Sequence, residues 1–180
     1  DGPTLNVRMK TLAGDTSPTC DAQNTSITAI QYSSVAPTAA VMADPNSLVS
    51  TEDSGHPVYM WYDDGTIKWW SEAKTVNAGT SLQKLCRYML NLTDISGLAN
   101  FNTENVTSTS GMFSSNYRYL MTLADITPLA NWDTSNLTDA SQMFYCCKLL
   151  TDITPVANWD TSNIKNMEYL FSNCSSLSDI

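Results

Sequence analysis

From about residue 85 onward, apolar positions return in the same order at a long, nearly fixed interval. Asp94-Ile95, Asp125-Ile126, Asp152-Ile153 and Asp179-Ile180 lie 31, 27 and 27 residues apart. A leucine precedes each by the same step (Leu92, Leu123, Leu150, Leu177), and an aromatic follows the first three (Phe101, Trp132, Trp159). Val106, Leu137 and Ile164 come next, and the pairs Met112-Phe113, Met143-Phe144 and Leu170-Phe171 close each copy. One copy has too little chain to bury these side chains alone, so copies must stack column on column. Leu85-Cys86 stands where such a pair is due and marks a degenerate first copy. The extra residues of the 31-residue interval fall between Phe113 and Ile126, which predicts a bulged connection over 114–121.

Within a copy, Leu-x-x-Ile reads as a short strand pairing in parallel with its neighbours, ended by Pro128 or Pro155 because proline has no N–H for a ladder. The tetrads Asn102–Asn105, Asp133–Asn136 and Asp160–Asn163 read as turns. Residues 138–144 and 164–171 read as short helices, with Thr138 at a cap. Upstream, Val58–Tyr62 and Thr66–Trp70 flank Asp63-Asp64-Gly65, a hairpin signal. Ser26–Tyr32 reads as a further strand, and 33–50, with Pro37 and Pro45, as loop. The fold class expected is α/β: a leucine-rich-repeat-like solenoid with a short parallel β-sheet and short helices, plus a β-rich N-terminal cap. Its domains would be a capping region at 1–80, with the hairpin near 57–71, and three to four repeats at 81–180, with further repeats or domains after Ile180.

The strings 131–144 (Asn-Trp-Asp-Thr-Ser-Asn-Leu-Thr-Asp-Ala-Ser-Gln-Met-Phe) and 170–177 (Leu-Phe-Ser-Asn-Cys-Ser-Ser-Leu) closely resemble BspA-like leucine-rich-repeat surface proteins. A repeat of the same type occurs in mycoplasma lipoproteins. The resemblance covers roughly 85–180 and reaches back into 57–73, whose Tyr-Met-Trp-Tyr-Asp-Asp-Gly-Thr-Ile-Lys-Trp-Trp-Ser-Glu-Ala often precedes such repeats. It departs at Asn102-Thr-Glu, where the pattern has Asp-Thr-Ser. The resemblance implies a secreted or wall-anchored protein of a host-associated bacterium, with adhesion known for a few members, and it offers no catalytic residues to carry over.

Charge narrows the partners. The chain of 180 residues has a formal net charge of −9, and its nine Lys and Arg never cluster. It lacks the positive footprint that nucleic acid requires, and no apolar run long enough to cross a membrane is present. His56 is the only imidazole and sits in a turn-like Asp53–Pro57, so no nucleophile–base pair is legible. Five cysteines match no zinc spacing. Cys147 and Cys174 share a repeat column, as buried thiols or as a disulfide between neighbouring copies. Asp133 and Asp160, with Asn136 and Asn163, form an oxygen-rich column better suited to backbone bonding than to calcium. No enzyme, cofactor or metal is expected.

The function expected is that of an extracellular binding or adhesion module on a bacterial surface, recognising a host or matrix protein or a glycan. A ligand-free stalk is the alternative, and a glycan-active enzyme a distant one. If each Ile points inward, its neighbours turn outward, giving a line of Asp94, Asp125, Asp152 and Asp179 beside a line of Ser96, Thr127 and Thr154. That acidic, hydroxyl-lined face is the first candidate site. The aromatic patch Trp61, Trp69 and Trp70 is the second, as a stacking platform for sugar rings.

Overall fold

The computed structural model describes residues 1–51 and 55–178. Helix α1 (Gly2–Leu12) is followed by strand β1 (Ala29–Tyr32), a short helix α2 (Ala39–Ala43), strands β2 (Tyr59–Asp63) and β3 (Thr66–Trp70), and the two-residue strands β4 (Val76–Asn77) and β5 (Phe101–Asn102). The first sheet has the order β1-β3-β2, with β1 parallel and β2 antiparallel to β3; β4 and β5 form a separate parallel pair. No described helix is long and apolar enough to cross a membrane.

This corrects the expected fold class. Among the described residues there is no leucine-rich-repeat solenoid with a parallel sheet and short helices: the sheets are small and mixed, and the α-helices lie at 2–12 and 39–43. The N-terminal part is not simply β-rich, because α1 opens it.

The local assignments within each repeat also exchange places. The Leu-x-x-Ile segments expected as strands form none, with an isolated bridge at Asp94, and after Ile95, Ile126 and Ile153 the chain forms 3-10 turns at Ser96–Asn100, Thr127–Leu129 and Thr154–Val156. Pro128 and Pro155 sit in the first turn of theirs, and Asp94, Asp125 and Asp152 each accept the N–H two residues on, so those amides are satisfied locally. The contacts between repeats run instead through the segments expected to be helical. The N–H groups of Leu82, Lys84, Cys86 and Tyr88 donate to the carbonyls of Ser108, Ser110, Met112 and Ser114. Those of Thr109, Gly111, Phe113 and Ser115 donate to Asp139, Ser141, Met143 and Tyr145. Those of Ala140, Gln142, Phe144 and Cys146 donate to Asn166, Glu168, Leu170 and Ser172, all at 2.8–3.3 Å across the three sets. The alternate N–H groups close turns three residues back, as Leu85 to Leu82 and Tyr145 to Gln142 do.

A helix cannot export every second amide in this way. The chain does so with residues in the left-handed region: Lys84, Gly111, Gln142 and Tyr169 form one such column, with φ of 57°, 62°, 55° and 58°, and Tyr88, Cys146 and Asn173, at 59°, 67° and 63°, stand four residues on. Only Gly111 adopts that conformation without steric penalty.

Aromatic columns fill the space between these ladders. Phe113 and Phe144 stack at 5.7 Å, and Phe144 and Phe171 at 5.4 Å, nearly parallel. Trp132 and Trp159 stack at 6.3 Å with rings 1° apart, and their indole N–H groups donate to Leu98 and Leu129 of the preceding repeat. Leu92, Ile95, Ile126, Trp132 and Phe144 are buried. Ile153, Trp159 and Phe171, expected to be equally buried, are only half-buried, since no described repeat covers them. The inserted residues form a tight turn in which Tyr119 N–H donates to Asn116, with Tyr117 and Tyr119 projecting.

Helix α1 closes the other end of the repeats. Carbonyls that would receive N–H groups from a preceding repeat belong to Ser81, Gln83, Leu85 and Arg87. Gly2 N–H donates to Ser81, the Asn6 amide to Lys84, Leu85 and Arg87, and the Lys10 ammonium to Arg87. Lys10 also donates to Thr19, Cys20 and Ala22. Gly2, Asn6 and Lys10 are spaced by one helical turn and form one buried face. The fit at Gly2 is close: a Cβ there would lie 2.1 Å from the Gln83 carbonyl oxygen.

All five cysteines are free, and the thiols of Cys147 and Cys174 donate to the carbonyls of Phe113 and Phe144. Burial raises the Cys86 and Cys147 thiols well above the ordinary value of 9.0, and lifts Cys174 to about 11. Burial lowers Lys10 to about 8. The unfolded chain therefore loses thiol protons above pH 9 that the folded chain keeps, so stability falls as pH rises through that value. Cys86 and Cys147 each contribute a loss of about 1.4 kcal/mol per pH unit. Lys10 acts oppositely from pH 8 upward, where the unfolded chain holds the extra proton. Urea unfolding under reductant should thus show a shallow maximum near pH 8–9 and a steep decline beyond. The Cys86→Ala, Cys147→Ala double variant should lose most of that decline. A wild-type stability unchanged between pH 8.5 and 10.5 would refute the assignment.

Candidate functional site

The two candidate sites are placed by the first sheet and its junction with the repeats. In the β2–β3 pair, Tyr59 lies opposite Trp70 and Trp61 opposite Lys68; in the β1–β3 pair, Gln31 lies beside Lys68. Side chains alternate across a strand, so Tyr59, Trp61, Lys68, Trp70 and Gln31 share one face, while Met60, Ile67, Trp69 and Ile30 share the other. The second group is buried and forms core.

Trp69 consequently leaves the proposed aromatic patch. It is 0% exposed, stands edge-on to Tyr32 and Phe101, and donates its indole N–H to Gly97. It packs against Phe101, the first member of the column that Trp132 and Trp159 continue. Trp61 and Trp70 remain, half-buried on the outer face, with Trp70 6.5 Å from Tyr59.

Beyond β1 the sheet face runs into the repeats. Ala29 forms a parallel bridge with Asp94, and Ile30 N–H donates to the Asp94 carbonyl. The side chains follow: Gln31 Nε2 donates to one Asp94 carboxylate oxygen at 2.6 Å, while the other accepts Ser96 N–H. Burial raises the Asp94 carboxyl, but the hydrogen bonds from Gln31 and Ser96 outweigh it and hold the group below the ordinary carboxylate value. Asp125 and Asp152 are exposed, and each accepts one backbone N–H, from Thr127 and Thr154, whose side chains are exposed beside them. The amide bond from Thr154 lowers the Asp152 carboxyl. The 3-10 turns that carry these residues pack in succession, so the aspartates follow one another a repeat apart. Asp179 lies outside the described residues.

The acidic line and the reduced aromatic patch thus join into one face. Gln31 is the residue at the junction, and the alternation along 26–32, which sets it opposite Ile30 and Tyr32, was the signal available for it. Asp133 and Asp160 stand apart, each accepting the N–H of the serine two residues on. Among the described residues no group of three potential ligands gathers to hold a metal ion. His56 is exposed with Nδ1 3.9 Å from Glu72, at the rim of a cavity of about 590 Å³ lined by Leu5, Val58, Met60, Trp69, Val76 and Phe101. Asp53 and Ser54 of its turn lie outside the described residues.

Residues 80–180, more than half of the chain, match a family model described as "Mycoplasma protein of unknown function, DUF285". No curated protein and no solved structure matches the chain.

Proposed function

We propose, as this chain belongs to the DUF285 family of mycoplasma-type proteins, that it is an extracellular binding module displayed on a bacterial surface and engages a host or matrix protein or a glycan. The resemblance of its repeats to BspA-like surface proteins and this membership support the surface setting. One observation carries the site: the pairing register sets Tyr59, Trp61, Lys68, Trp70 and Gln31 on one outer face that continues through the Gln31–Asp94 hydrogen bond into the Asp125 and Asp152 line. Such a face combines flat aromatic surfaces with fixed carboxylate acceptors and exposed hydroxyls. Aromatic residues supply most of the affinity at recognition sites, and carboxylates held by their own backbone orient a polyhydroxylated or cationic group without a further ordering cost.

The test is binding of the labelled chain to an array of host-type glycans and to immobilised matrix proteins. A saturable hit should lose at least about tenfold in affinity in a Trp61→Ala, Trp70→Ala variant, the scale of a lost hot spot. Asp125→Asn, Asp152→Asn should weaken it further and flatten its salt dependence. Full binding by both variants would exclude this face, and no saturable binding to any probe would exclude the function.

A further inference from the structure

We propose that the cavity between α1, the inner face of the first sheet and β4 is a binding site for a small, neutral, flat ring compound that carries hydrogen-bond acceptors. The cavity holds about 590 Å³, within the roughly 300–1,000 Å³ of small-molecule sites. Its apolar wall is rigid. Met60, Trp69 and Phe101 are core residues that line it, and Trp69 stands edge-on to Phe101 at 5.7 Å with its indole N–H tied to the Gly97 carbonyl. Gly97 supports the indole from behind: a Cβ there would lie 2.8 Å from the ring nitrogen.

The repeat pattern accounts for the shape. Phe101, Trp132 and Trp159 hold one repeat position, and Trp132 and Trp159 stack with their rings 1° apart. One step earlier, β4 pairs Val76 with Phe101, so the column has a valine where a further ring would follow. The same wall carries the small residues Ala73, Ala78 and Gly79. The space beside Phe101 therefore has the outline of the ring that position 76 lacks, enlarged by these small neighbours. A planar apolar body suits it better than a flexible chain, which would lose more rotational freedom on entry.

The polar lining calls for acceptors on that ring. Ser71 is 1% exposed, and its Oγ accepts the N–H of Ala73 at 3.4 Å. Ser50 Oγ accepts the N–H of Val58 at 3.0 Å, and Asn77 Oδ1 accepts from Asn102 Nδ2 at 3.0 Å. With each oxygen engaged, these three side chains have protons left to offer: two hydroxyls and an amide NH2. A carbonyl, ether or ring nitrogen answers them, whereas an N–H on the ligand would face donors. Among the described residues no lysine or arginine lines the cavity, so a carboxylate or phosphate gains no such cation there. Trp61 and Trp70 lie on the opposite side of the sheet from Trp69, so this site is separate from the outer face proposed above.

The test is titration of the 180-residue chain with coumarin, a flat bicyclic lactone, followed by nitrogen–proton correlation spectra and calorimetry. Indole, a ring of similar size that offers a donor, and decanoate, an apolar chain with a carboxylate, are the comparison probes. Coumarin should bind saturably and shift the signals of the Trp69 indole, Ser71 and Ala78 while leaving the Trp61 and Trp70 indoles in place. Indole and decanoate should bind at least about tenfold more weakly, the discrimination expected of donors left unpaired. Ser71→Ala should weaken coumarin about tenfold and leave indole unchanged. Val76→Trp, which supplies the ring, should abolish coumarin binding with a melting temperature at or above that of the parent. No saturable coumarin binding, equal binding of the three probes, or shifts confined to the outer face would overturn the proposal. So would full binding by either variant, and Ser71→Ala decides alone if Val76→Trp does not fold.

Discussion

Phe144→Ala is expected to lower the unfolding free energy by about 3–5 kcal/mol, the upper range for truncating a buried aromatic. The ring is 0% exposed and sandwiched between Phe113 and Phe171, so its removal leaves a cavity with a rigid wall on each side. Those walls cannot close, because the backbone on both sides is held by the ladder, including Phe113 N–H to Met143 and Phe144 N–H to Leu170. The Phe144 carbonyl also receives the N–H of Cys147 and the thiol of Cys174, and a shift of the backbone would disturb both. The same substitution at Phe171, which has a partner on one side only, should be clearly milder. Urea denaturation of the two variants measures the difference. Equal losses would contradict the ring column as a source of stability.

Asn6→Asp should be comparably damaging although it changes almost nothing in size. The Asn6 side-chain nitrogen donates to three carbonyls, of Lys84, Leu85 and Arg87, at 2.9–3.1 Å, and the residue is 0% exposed. A carboxylate in its place would turn an acceptor toward three acceptors and leave the Leu85 carbonyl without a donor, while the Lys84 carbonyl keeps the Arg87 N–H. Lys10, at 3.1 Å from the Arg87 carbonyl, would offset part of this. One unmet buried carbonyl at about 1–3 kcal/mol, together with a carboxylate buried against three carbonyl oxygens, sets a loss of about 3 kcal/mol. Circular dichroism and denaturation should report a weaker, less helical protein, while Asn6→Gln, which keeps the donor, should recover part of the loss. If Asn6→Asp is as stable as the parent, α1 is not the cap of the repeats.

These two sites differ in how far they could be read from the amino-acid pattern. The Phe144 column was legible because burial imposes a fixed spacing on apolar residues, and Ile126 and Trp132 follow the same rule. The conformation that carries the spacing was not. Alternation between right- and left-handed residues has no hydrophobic period of its own, and only Gly111 among the four members of the left-handed column marks it in composition. Helix α1 escaped notice for a related reason: its docking face is Gly2, Asn6 and Lys10, a polar stripe, so there is no apolar repeat at helical spacing to find. The candidate face was half legible. The aspartate series recurs in plain view, and strict alternation in Thr66–Trp70 already sets Trp69 and Trp70 on opposite sides. The junction through Gln31 depends on a parallel pairing between remote segments, which no local pattern encodes.

The turn at Asn116–Tyr119 shows where this architecture leaves length undetermined. Ser81 pairs with Ser108 across 27 residues, and Ser108 pairs with Asp139 across 31, yet both ladders close with the same alternation of donors. Register is therefore set by where the chain re-enters the ladder and not by how many residues it spends between entries. The connection after Phe113 is anchored at its ends, by Ser115 N–H to Tyr145 and Met121 N–H to Cys146, and by Asn116 to the Tyr88 hydroxyl, so a change of length is absorbed at its exposed tip while the columns on either side stay in place. Tyr117, Arg118 and Tyr119 form that tip here and are all exposed.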